Sequence, residues 1–181
     1  MNNLRKLMVT AFNGFTVLMA IMAYPAYAVD ALFKAELVEE PCMVVPSTED
    51  QTVDFREIPV KNFYTDAKSL AKPFSISLEQ CDLSLGKEVI VSFTGSEDSV
   101  QSGLVKNAGS AVGFAVAITT LDNKLVPVNS GKANFTLEDN TTHTNHLDFK
   151  AYVQAQSDLV TSKKLEAGNI KSTVTFGLEY P

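Results

Sequence analysis

From Val29 onward, apolar and polar residues alternate with a period of two, and turn-forming residues cut the alternation into short lengths. Successive side chains of a strand point to opposite faces, so this pattern suits half-buried strands and gives no long amphipathic helix. In VDALFKAEL (29–37), Val29, Ala31, Phe33, Ala35 and Leu37 share one parity, with Leu32 the exception on the other. Further strands are expected at Thr52–Val60, Phe74–Gln80, Glu88–Thr94, Val112–Thr119, Lys124–Val128, Asn134–Glu138, His146–Gln156 and Ile170–Tyr180. A short helical turn is expected within Tyr64–Lys72. Turn-formers such as Gly95-Ser96-Glu97-Asp98 and Asn129-Ser130-Gly131 separate them. Many short strands with regular turns imply an all-β sandwich of one domain.

The segment before this pattern reads as an address. Arg5 and Lys6 precede a mostly apolar run that closes with Ala26-Tyr27-Ala28. A basic start, an apolar stretch and an A-x-A site describe a secretory signal peptide over residues 1–28. Its removal leaves 153 residues and shifts the net charge from −6 to −8. No later stretch approaches the length of a membrane-spanning helix. An exported chain meets an oxidising compartment, so Cys42 and Cys81 are expected to pair.

Charge and composition exclude several classes. The 45% hydrophobic and 20% charged content is that of a globular chain. The acidic balance offers nothing to neutralise phosphates, so nucleic acid is not an expected partner. With two His in all, a multi-His metal site is not expected, and His143 and His146 read as a polar turn leading into a strand. Ser69-Leu70-Ala71-Lys72 fits S-x-x-K, but the S-D-N and K-T-G elements of that chemistry are missing. Glu97, Asp98, Glu138 and Asp139 read as solvated turn residues, and Asn134 and Asn140 each open a glycosylation sequon. No catalytic constellation and no cofactor site emerge.

The last strand is the most informative. Val174, Phe176, Leu178 and Tyr180 share one face, and Thr173, Thr175, Gly177 and Glu179 the other. A long apolar edge with no following strand is an aggregation hazard, so something is expected to cover it.

Here the sequence resembles the pilin subunits of chaperone–usher fimbriae. The early FKAELVEEPC, the strand FSISLEQC ending at Cys81, the penultimate Tyr180 and Gly168 fourteenth from the end carry the resemblance over residues 31–181. One departure is Ala35, where the family places Gly after the aromatic and basic pair. The resemblance implies an incomplete immunoglobulin-like β-sandwich that lacks its C-terminal strand and is completed by a donated one, a mode of β-strand addition. It implies a donor-strand extension over residues 29–40 and a pilin domain over residues 41–181. Phe33, Ala35 and Leu37 would be donated onward, with Ala31 or Val29 as extra contacts. Gly168, Val174, Phe176, Leu178 and Tyr180 would serve the groove and the chaperone. Implied partners are a periplasmic chaperone, an outer-membrane usher and neighbouring pilins, and the implied destination is a fimbria at the bacterial surface. The short segment before Phe33, and only 12 Ala in the 153 exported residues, resemble a minor, tip-fibrillum subunit more than a rod subunit. The alternatives are an adhesive tip module or the major rod subunit.

Overall fold

The computed structural model describes residues 41–138 and 144–181, all within the unit Val38–Pro181. Eight strands form there: β1 (Met43–Val44), β2 (Lys72–Glu79), β3 (Glu88–Gly95), β4 (Val105–Lys106), β5 (Phe114–Thr120), β6 (Lys132–Thr136), β7 (Asn145–Ala155) and β8 (Val174–Glu179). Two short helices, α1 (Pro46–Glu49) and α2 (Ser157–Ser162), and a 3-10 turn at Val60–Tyr64 complete the elements. One sheet has the order β1-β2-β7-β5-β4 and the other β6-β3-β8. Every pairing is antiparallel. The fold is an all-β, incomplete immunoglobulin-like sandwich, with five strands facing three.

Alternation sets which face is buried. Along β7, Asn145, Leu147, Phe149, Ala151, Val153 and Ala155 are buried and every residue between them is more exposed. A slip of one residue would turn this whole row to solvent, so the register is strongly specified. Phe149 is the aromatic hub. It stacks on Phe74 at 5.6 Å and meets the edges of Phe93 at 5.1 Å and Phe135 at 5.3 Å. Phe74 and Phe149 belong to the larger sheet, Phe93 and Phe135 to the smaller, so these contacts hold the layers together. Each such pair contributes roughly 0.5–1.5 kcal/mol beyond its area. A second cluster around Phe63, Phe114 and Val153 seals one end.

Several expected elements differ. Thr52–Val60 forms no ladder with a described strand. Its alternation survives, since Val53 and Phe55 are half-buried and Thr52 and Asp54 exposed. The extended path breaks at Arg56, whose φ is 58° and whose N–H donates to Asp54 Oδ1 at 2.8 Å. The helical turn falls at Val60–Tyr64 rather than within Tyr64–Lys72, because burial of Phe63 anchors it there. Lys124–Val128 makes a single bridge, Thr119 to Leu125, and not a strand. Pro127 has no N–H for a ladder, and Asn123 and Asn129 bend the chain at φ 65° and 67°. Strands β1 and β4 and the two helices were not anticipated.

Cys42 and Cys81 form a disulfide. They flank the β1–β2 pairing, in which Met43 faces Glu79, and the Asp82 N–H donates to the Pro41 carbonyl at 2.7 Å. A two-residue strand contributes little by itself. Closing a loop of 39 residues contributes roughly 4 kcal/mol in the chain-entropy picture. Replacing either cysteine by serine is expected to cost roughly 2–5 kcal/mol in denaturant unfolding. Thiol titration of the unfolded, unreduced exported chain should find no reactive sulfur; two reactive thiols would contradict the pairing.

Candidate functional site

Strand β8 hydrogen-bonds to β3 on one edge, with Gly95 opposite Val174, Phe93 opposite Phe176 and Val91 opposite Leu178. Among the described residues no strand pairs with its other edge. Val174, Phe176, Leu178 and Tyr180 are half-buried against the main core, and Thr175, Gly177 and Glu179 are exposed. The alternation is that expected from the sequence. On the outer face Glu179 pairs with Lys132 at 2.6 Å, with both side chains more than half exposed. Such a pair contributes at most about 1 kcal/mol.

Beside β8 an apolar cleft of about 410 Å³ opens between the sheets. Phe74 and Ile76 of β2, Val116 and Ile118 of β5, and Phe93 of β3 line it from within. Val174 and Phe176 form one wall, and Val53 and Phe55 of the extended segment stand in the lining with them. Leu178 and Tyr180 share the inward face of β8 but lie beyond the lining. The cleft is therefore a slot whose two lips are extended chain. Backbone donors and acceptors on such lips are matched by another extended chain, and alternate side chains of that chain would enter the apolar interior. The lining residues from β5 were not singled out from sequence. Their alternation marks them as core, and nothing in one sequence says which core residues lack a cover.

Gly168 sits outside the cleft, where the chain crosses residues 110–111. A Cβ there would lie 2.5 Å from the Ala111 nitrogen and 2.6 Å from the Ser110 carbonyl carbon. The Ala111 N–H donates to the Asn169 carbonyl at 3.1 Å, and the Asn169 N–H donates to Ser110 Oγ at 3.0 Å. Close backbone approach, not an unusual dihedral, excludes a side chain at this position.

The other singled-out residues serve the scaffold. Ser69 Oγ accepts from the Val153 N–H at 2.9 Å, and the Ser69 N–H donates to the Val153 carbonyl at 2.8 Å. Lys72 opens β2. His146 Nδ1 and Ser77 Oγ lie 3.0 Å apart across β2 and β7. Glu97 accepts from the Gly103 N–H at 2.6 Å and the Ser102 hydroxyl at 2.9 Å, and these bonds hold its carboxyl below the usual range. Asp98 accepts from the N–H groups of Val100 and Gln101 at 3.0 and 2.8 Å. Asn145 Oδ1 accepts from the Glu138 N–H at 2.8 Å. Asn134 lies in β6. Phe33, Ala35, Leu37, Asp139, Asn140 and His143 lie outside the described residues. Among the described residues no three His, Cys, Asp or Glu side chains gather as a metal site, and no helix is long and apolar enough to cross a membrane.

Comparison with known proteins agrees with this geometry. The family model described as fimbrial protein matches residues 31–181. Long polar fimbria protein A of Salmonella typhimurium is 34% identical over 172 residues, covering 90% of this chain and 92% of the relative. The fimbrial adapter PapK of Escherichia coli is 30% identical over 182 residues, covering 96% and 99%. In fold, the chain is similar to a solved chaperone–usher pilus subunit, with a TM-score of 0.66 at 22% identity, covering 88% of this chain and 99% of that one. A chain of alternating strands, closed by one disulfide and open along one amphipathic edge, belongs to the fimbrial protein family.

Proposed function

We propose that this chain is a non-catalytic structural subunit that enters a fimbria by donor-strand exchange and contributes to cell adhesion. The carrying observation is the apolar cleft beside β8, a strand with one partnered edge among the described residues. In this reading residues 1–28 direct export and are removed. A periplasmic chaperone lends a strand to the cleft, and at an outer-membrane usher the extension of another subunit takes its place. Residues 29–40 form this subunit's own extension, and Phe33, Ala35 and Leu37 enter the neighbour's cleft. Main-chain hydrogen bonds contribute affinity and alternate side chains contribute register. The short segment before Phe33 and the low alanine content favour a minor or adaptor position. The likeness to an adapter supports this, and the major rod subunit is the alternative.

Co-purification with a tagged chaperone tests the acceptor side. Phe176→Ser and Tyr180→Ser should lower recovery of chaperone-bound subunit several-fold, because each removes an apolar side chain from the inward face of β8. Glu179→Ser should change it little, since it loses an exposed ion pair. Gly168→Arg should also lower recovery, but through the fold, with reduced disulfide protection as the distinguishing sign. Equal recovery of the Tyr180 and Glu179 variants would contradict the assignment.

Deleting Val29–Leu37 tests the donor side. The truncated subunit should still bind its chaperone yet fail to donate a strand to a neighbour. A normal onward junction in assembled fibres, seen by mass spectrometry of cross-linked subunits, would rule out Phe33, Ala35 and Leu37 as donor residues.

A further inference from the structure

The two lips of the cleft are held very differently. Strand β8 is bonded to β3, and the chain that leads into it is stapled to residues 106–111. The Lys171 and Gly109 N–H groups both donate to Asn107 Oδ1, at 2.9 and 2.8 Å, and Asn107 Nδ2 donates to the Ala111 carbonyl at 2.8 Å. The Ser172 hydroxyl donates to the Lys106 carbonyl at 2.9 Å, and the Ala108 N–H to the Lys171 carbonyl at 2.8 Å. The opposite lip, residues 52–58, makes no backbone–backbone hydrogen bond among the described residues. It hangs between two tethers. Gln51 Nε2 donates to the Thr48 and Ser75 carbonyls at 3.1 and 3.0 Å, and beyond Pro59 the buried Phe63 anchors the 3-10 turn. Within it, the Arg56 N–H turns back to Asp54 Oδ1 at the left-handed break.

The geometry of this loose lip suits pairing with β8 itself. Gln51 is tied to Ser75, next to Phe74, whose ring packs on Phe93 at 6.2 Å, and Phe93 pairs with Phe176. Phe55 and Ile170 both pack on the end cluster around Phe63 and Phe114. The segment thus starts level with Phe176 and ends level with Ile170, antiparallel to β8. Residues opposite each other in an antiparallel pair share a face. Half-buried Val53 then falls beside half-buried Val174, and exposed Thr52 beside exposed Thr175.

We propose that residues 52–58 are a hinged strap that closes on β8 in the free subunit, pairing with it edge to edge, and swings away about Gln51 and Pro59 when a strand enters the cleft. Only the strap moves, because the Asn107 staple and the β3 ladder hold the other lip. Closure hides the open edge of β8 and removes an apolar void whose lining lacks contacts on one side. An entering strand competes with the chain's own segment, so its apparent affinity falls by the fraction of open subunit, and weakly matched strands are refused. The opening half of this cycle rests on the strand-acceptor reading above; the closing half does not.

The test is a cross-link across the lips. The exported chain, refolded with its Cys42–Cys81 bond formed and isolated as a monomer, carries Thr52→Cys with Thr175→Cys. A slot open for one strand holds its lips roughly 10 Å apart, and a closed pair about 5 Å. A disulfide spans only the second distance. Thr52→Cys with Thr173→Cys covers a register shifted by two residues. Thr94→Cys with Thr175→Cys, opposite each other in the β3–β8 ladder, should bond in every state and checks folding and oxidation. Bonds formed under mild oxidation are read by peptide mapping with mass spectrometry. A strap pair should bond in the free chain, and a saturating fluorescent peptide of residues 29–40 should slow it at least roughly fivefold while leaving the control pair unchanged. Bonding of the control with neither strap pair linked overturns the proposal and leaves the strand-acceptor reading standing. An unchanged rate with the peptide bound, as followed by anisotropy, overturns the strap as a gate. Strap bonding with no peptide bound overturns the strand-acceptor reading and leaves the closing strap.

Discussion

One-sided pairing of an amphipathic strand governs this structure. Strand β8 is bonded to β3 along one edge and has no described partner along the other. Its inward residues rest on the core, yet the space beside them is an open apolar cleft. Apolar side chains facing such a space forgo both transfer free energy and close contact, and an unpaired backbone edge invites pairing with any extended chain. The larger sheet does not share the problem at its centre, where β7 is flanked by β2 and β5 and its inward row is buried from end to end. Of the four edge strands, β8 is the one whose open edge lies beside the apolar cleft.

Subunit stability and subunit assembly then become the same question. The disulfide and the Phe149 cluster fix the part of the sandwich that is complete. Burying a large apolar side chain is worth roughly 1.5–3 kcal/mol, so two or three from a donated strand would add stability comparable to a whole disulfide. In the strand-acceptor reading proposed above, the chain gains that increment only from a partner.

Much of this was legible in the sequence where local pattern and tertiary role coincide. Strands β2, β3, β7 and β8 alternate along most of their length and were located to within a few residues, and the parity of Val174 to Tyr180 was read directly. The failures occur where partners or backbone dihedrals decide. Thr52–Val60 alternates but breaks at the left-handed Arg56, and Lys124–Val128 is interrupted by Pro127. Strands β1 and β4 have two residues each, too short for any periodicity, and exist because of the disulfide and the β5 edge. Gly168 stood out only through the resemblance; the obstacle that excludes a side chain there is the Ser110–Ala111 backbone, which no local pattern names. The β5 side of the cleft was invisible for a related reason, since apolar alternation marks a residue as inward-facing without saying what stands opposite.

Thermal unfolding of a single chain made complete within itself tests the missing-strand geometry most directly. Residues 29–40 would be appended after Pro181 through a short turn, so that they run back antiparallel to β8 into the same molecule's cleft. A matched control would carry Phe33→Asp and Leu37→Asp in the appended copy. Filling the cleft should raise the unfolding midpoint of the fusion by at least roughly 10 °C over the control, given several kcal/mol of added burial. Identical midpoints for fusion and control would contradict the view that this sandwich lacks a strand beside β8.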